Sequence, residues 1–63
     1  MSSLKSMRKA AGISQAEIAA RLNVKQNTVS NWETGRRNPS YKQLKAMAAA
    51  YNCTVDDLLK DEE

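Results

Sequence analysis

Apolar residues recur at helical spacing in five short runs, the first four closed by Gly or Asn. Leu4, Met7 and Ala11 share one side of a first helix from Leu4 to Ala11, with Lys5, Arg8 and Lys9 turned away or flanking. Ser2 or Ser3 is placed to cap its start and Gly12 to stop it. A second helix begins at Gln15, with Ile18, Ala19 and Leu22 on one face and Gln15, Glu17 and Arg21 pointing elsewhere. Ser14 and Glu17 form the capping-box spacing ahead of it, and Ile13 sits where an apolar residue staples the entry. Asn23 ends this run, because its short polar side chain eases the left-handed conformation of a helix stop.

A third helix starts near Lys25 and runs to about Thr34, held inward only by Val24, Val29 and Trp32. Its other face carries Lys25, Gln26, Asn27, Ser30 and Asn31, donors and acceptors with no carboxylate among them. Gly35 follows as a stop, and Pro39 bars Asn38 from helical geometry in the loop GRRNPS. Ser40 caps a fourth helix from Tyr41 to about Tyr51, with Leu44, Met47, Ala48 and Tyr51 on the inward stripe. Asn52 stops it. Thr54 with Asp57 repeats the capping logic for a fifth helix carrying Val55, Leu58 and Leu59. No stretch alternates as a strand does, so the fold class predicted is all-α, five short helices around one core in a single domain spanning residues 1–63. The acidic tail 60–63 lies at the negative end of the last helix and is expected to fray.

Composition narrows the chemistry. With 63 residues there is room for one small core, and one cysteine with no histidine excludes an internal disulfide and a Cys/His metal site. No metal or cofactor is expected, and catalysis is not expected either, since nucleotide-binding glycine loops and clustered carboxylates are missing from the basic half. Cys53 reads as a small buried apolar residue, and Trp32 as core. No apolar run is long enough for a signal peptide or membrane span, so a reducing, cytoplasmic setting is expected. The net charge of +3 is unevenly spread: residues 1–45 carry nine basic against two acidic side chains, and residues 46–63 carry one against five. The basic end is where a polyanion would sit.

The segments SQAEIAARLNV, TVSNWETGRRNPS and LKAMAAAYNCTVDDLL together resemble the Cro/CI-type (XRE-like) helix-turn-helix family of phage repressors and bacterial regulators. Ala19, Asn23 and Val29 occupy the motif's small, turn and branched apolar positions within a helix-turn-helix at about residues 15–34. Ala19 has a physical reason, since two helices crossing steeply at a short turn leave no room for a larger side chain. Asn23 departs from the commoner Gly.

The resemblance implies that the third helix enters the major groove of double-stranded DNA, with Gln26, Asn27, Ser30 and Asn31 as base readers. Asn and Gln suit the role because each bonds adenine N6 and N7 together. Backbone contacts implied are Gln15, at a helix N-terminus, with Lys25, Thr28, Arg36, Arg37, Asn38 and Ser40 around the third helix. Arg8 and Glu33 match positions that pair across the domain as a structural salt bridge. The function implied is sequence-specific duplex binding by a transcriptional regulator, bacterial or phage-encoded, acting as a weak homodimer formed on DNA, with no small-molecule substrate. The alternative is a protein-interaction module, antitoxin-like or adaptor, that reuses the fold.

Overall fold

A computed structural model of the chain describes residues 3–60. Its helices are α1 (Ser3–Ala10), α2 (Gln15–Leu22), α3 (Gln26–Thr34), α4 (Tyr41–Tyr51) and α5 (Val55–Leu59), with no strand among the described residues. The capping role offered to Ser2 and the fraying expected of the acidic tail at residues 61–63 fall outside the described residues.

The helix stops follow from four residues in the left-handed region: Gly12, Asn23, Gly35 and Asn52, with φ of 73°, 58°, 83° and 57°. After each, the next N–H returns to a carbonyl in the preceding helix: Ile13 to Arg8 at 3.2 Å, and Val24 to Ala19, Arg36 to Asn31 and Cys53 to Ala48, each at 3.0 Å. Carbonyls that would otherwise lack partners are thereby satisfied, and the chain turns sharply.

Three helix starts are closed by reciprocal capping boxes. The backbone N–H groups of Glu17, Gln43 and Asp57 donate to the hydroxyls of Ser14, Ser40 and Thr54 at 3.0, 3.2 and 3.0 Å. The Glu17, Gln43 and Asp57 side chains accept in return from the cap backbone N–H at 3.1, 2.8 and 3.1 Å. The Thr54 backbone and hydroxyl hydrogen bonds hold the Asp57 carboxyl below its ordinary value. The start of α3 is different: Lys25 precedes it and makes no side-chain cap.

Ile18, Val29 and Met47 are fully buried, and Leu4, Ala19, Trp32, Leu44, Ala48, Tyr51 and Leu58 close the core around them. α2 packs on α3, α1 on α5, and α4 bridges α1, α2 and α5. The Ser3 hydroxyl donates to the Lys60 carbonyl, joining the start of α1 to the end of α5.

Three features differ from the sequence reading. Ala11 lies exposed in the turn after α1, because the left-handed stop at Gly12 ends the helix one residue early. Leu59 is 62% exposed, since a single turn of α5 buries only Leu58. Arg8, placed by periodicity off the apolar stripe, is 8% exposed and reaches into the domain.

Candidate nucleic-acid interface

The turn from Asn23 to Lys25 sets α3 across α2, and Ala19 makes the crossing possible. It is 3% exposed, and its carbonyl accepts the Val24 N–H. Val29 and Trp32 then fasten α3 to the core at 0% and 5% exposure. With that side buried, residues three or four positions apart on the opposite side face outward together.

Asn27, Ser30 and Asn31 share this outward side; Asn27 is exposed, and Ser30 and Asn31 are half-buried at the helix surface. Gln26 is exposed at the first helical position, and Thr28 is half-buried on the flank. Thr34, one turn beyond Ser30, continues the same side and was missed by the sequence reading. Its hydroxyl donates to the Asn31 carbonyl at 3.3 Å. The signal for it was its i+3 and i+4 spacing from Asn31 and Ser30.

The same Asn31 carbonyl accepts the backbone N–H groups of Arg36 and Arg37 at 3.0 and 3.2 Å. This fixes the loop that leaves α3, and Arg36, Arg37 and Asn38 stand exposed on it. Ser40 is exposed where α4 begins, its oxygen already accepting from Gln43. Lys25 is exposed at the other end of α3. That end has neither a side-chain cap nor an acidic residue in its first turn, so the positive end of the helix dipole is left uncompensated by the protein.

The acidic member of α3 is withdrawn from this side. Glu33 is 7% exposed and receives Arg8 through two nitrogens, Nε to Oε2 at 2.6 Å and Nη2 to Oε1 at 3.2 Å. Arg8 Nη1 also donates to the Ile13 carbonyl at 2.9 Å. The Glu33 hydrogen bond raises the Arg8 pKa above its ordinary value, against the opposing pull of burial. The guanidinium therefore stays charged.

Gln15 joins the pair. Its Nε2 donates to Glu33 Oε1 at 2.9 Å, so the side chain implied by the resemblance to meet phosphate is anchored on the protein through one end. No sequence signal announced this contact between residues 18 positions apart. The Tyr51 hydroxyl is buried without a hydrogen-bond partner, and burial, then the Glu33 charge, pushes the phenol up to about 12. Burial chiefly, then the Asp57 charge, raises the Cys53 thiol as well, which disfavours the reactive thiolate. Among the described residues no cluster of His, Cys, Asp or Glu is arranged to hold a metal ion, and no helix is long and apolar enough to cross a membrane.

Comparison with known proteins agrees with this geometry. The family model described as helix-turn-helix matches residues 4–58. The HTH-type transcriptional activator BcrR of Enterococcus faecalis is 32% identical over 60 residues, covering 95% of this chain and 29% of the relative. The HTH-type transcriptional regulator ImmR of Bacillus subtilis (strain 168) is 38% identical, covering 95% of this chain and 47% of the relative. An uncharacterised HTH-type transcriptional regulator of Archaeoglobus fulgidus is 33% identical over 61 residues, covering 95% of this chain and 86% of the relative. The chain thus spans less than half the length of the first two relatives.

Proposed function

The chain belongs to the helix-turn-helix family, and we propose that it binds double-stranded DNA sequence-specifically, as the DNA-reading part of a transcriptional regulator. One observation carries the reading. The outward side of α3 offers only uncharged donors and acceptors, because the carboxylate of this helix is turned inward onto Arg8. A helix about 10–12 Å across fits a major groove about 12 Å wide. In this reading Gln26, Asn27, Ser30 and Asn31 meet base edges, where Asn and Gln are the side chains that bond adenine in two places. Thr34 continues the same face and extends the set.

Phosphate contacts fall to the flanks. Lys25 and the uncapped start of α3 lie at one end, and Arg36, Arg37, Asn38 and Ser40 at the other. Thr28 offers its hydroxyl to the backbone from the side of the helix, and Gln15 from the start of α2. These contacts neutralise charge and fix register without reading sequence. Two copies on a near-palindromic site would place their α3 helices in half-sites about one helical turn apart. Among the described residues, Leu59 and Tyr41, 62% and 67% exposed, are the large apolar side chains left outside the core for a weak contact between copies.

The test is selection of bound sequences from random duplex DNA at low salt. A recovered motif, repeated in inverted orientation at a fixed spacing, supports the reading. Failure to enrich any sequence would overturn it in favour of a protein-interaction module.

A further inference from the structure

The Gln15 amide and the Glu33 carboxylate meet at 2.9 Å, and the chemistry of that contact is one-sided. A carboxylate only accepts, so the amide must turn its nitrogen end inward; its oxygen there would face two other oxygens. The orientation of the amide is therefore dictated by Glu33. The nitrogen carries two hydrogens and Glu33 takes one, while no other acceptor meets this amide among the described residues. Gln15 is half-buried at the first residue of α2, where backbone N–H groups also lack intrahelical acceptors.

We infer that Glu33 is a positioning residue for DNA docking: by holding one N–H of the Gln15 amide, it fixes the second N–H as a ready donor to a DNA phosphate. This rests on the DNA-binding reading above. A carboxylate so close behind a phosphate contact would normally repel the DNA. Here Arg8 grips the same carboxylate through two nitrogens, so an approaching phosphate meets a neutralised pair. Arg8, Glu33 and Gln15 thereby serve α1, α3 and α2 as one node, which links a fold-stabilising ion pair to the docking of the α2 N-terminus. A held side chain also brings less rotamer freedom to lose on docking than a free Gln would.

The test is a double-mutant cycle in DNA affinity. The probe is a duplex recovered by selection with the wild-type chain, and the proteins are wild type, Gln15→Ala, Glu33→Gln and the double variant. In Glu33→Gln one oxygen remains, and it goes to the charged Arg8 donor. An NH2 then faces Gln15, so the Gln15 amide turns over and offers oxygen to the phosphate. Each single variant should weaken binding about 3- to 10-fold, the worth of one hydrogen bond, with base preference unchanged. The double variant should bind no more weakly than Gln15→Ala alone. If Gln15→Ala costs the same factor in both backgrounds, Glu33 is structural only and the inference falls.

Because Glu33→Gln weakens the fold as well, a second measurement uses the intact wild-type chain: the two side-chain amide protons of Gln15, followed by 15N NMR during titration with the same duplex. The inference expects one proton to shift while the Glu33-bonded one keeps its position and slow exchange. If both protons move together, or neither moves while α3 resonances do, the inference is overturned and DNA binding itself stands. Failure to recover any duplex with the wild-type chain would instead sink the DNA-binding reading beneath it.

Discussion

Replacing Arg8 by Met tests how much of the domain rests on the buried ion pair. The substitution removes the 2.6 Å and 3.2 Å bonds to Glu33 and the 2.9 Å bond to the Ile13 carbonyl. It leaves a carboxylate whose side chain is 2% exposed with only the Gln15 nitrogen as a partner. Stranding one member of a buried pair costs about 3–5 kcal/mol. A domain of 63 residues has roughly 3–9 kcal/mol to lose, so Arg8→Met should remove from about a third to all of its stability.

Glu33→Leu should cost toward the lower end of that range. The remaining guanidinium keeps the Ile13 carbonyl and has a long stem with which to reach water. The double variant joins two apolar side chains where the ions were and should return to within about 1–2 kcal/mol of wild type. Urea denaturation followed by helical circular dichroism and by the fluorescence of the buried Trp32 measures all four proteins, with sucrose added where a single variant is unfolded in water. The expected double-variant cost falls at least about 3 kcal/mol short of the summed single costs. Additivity to within about 0.5 kcal/mol would refute the reasoning.

Three further outcomes follow from single residues. Tyr51→Phe deletes a buried hydroxyl that has no partner, so at neutral pH stability should hold to within about 1 kcal/mol or rise. In the wild type the folded phenol titrates at about 12 and the unfolded one near its ordinary value of about 10. Between those pH values the unfolded chain binds fewer protons, so stability should fall as pH rises, by up to about 2–3 kcal/mol, and denaturation curves of Tyr51→Phe should lack that fall. At Asn23, whose φ is 58°, replacement by Gly should be tolerated while replacement by Val should cost about 1–2 kcal/mol, read from urea midpoints. Arg36→Ala and Arg37→Ala should each flatten the log-log salt dependence of DNA binding by about 0.9 and leave base preference intact.

Helix positions were legible because local chemistry sets them. Left-handed Asn and Gly residues stop the first four helices, and Ser or Thr three residues ahead of a carboxylate starts α2 and α5. The Ser40–Gln43 box carried the same spacing signal, with only its first half used. The failures have one source: periodicity assigns a side chain to a face but says nothing of its reach. Arg8 lies off the apolar stripe and still buries its head against Glu33 on another helix, a pairing that the family resemblance supplied and that periodicity alone did not. Gln15 reads as an outward polar residue and turns out to donate to the same carboxylate. Leu59 has the hydrophobicity of core, but α5 is too short to offer a second buried position. Long-range partners of this kind depend on how the helices cross, which no local pattern encodes.

The division of labour on α3 is tested most directly by one comparison. The Gln26→Ala/Asn31→Ala double variant and the wild type are titrated against a selected duplex and an unrelated duplex over a range of salt. The account predicts that the double variant binds both duplexes alike while keeping most of the wild-type salt dependence, since base reading is lost and the phosphate contacts remain. Undiminished preference for the selected duplex would show that other residues read the sequence, and would contradict the account.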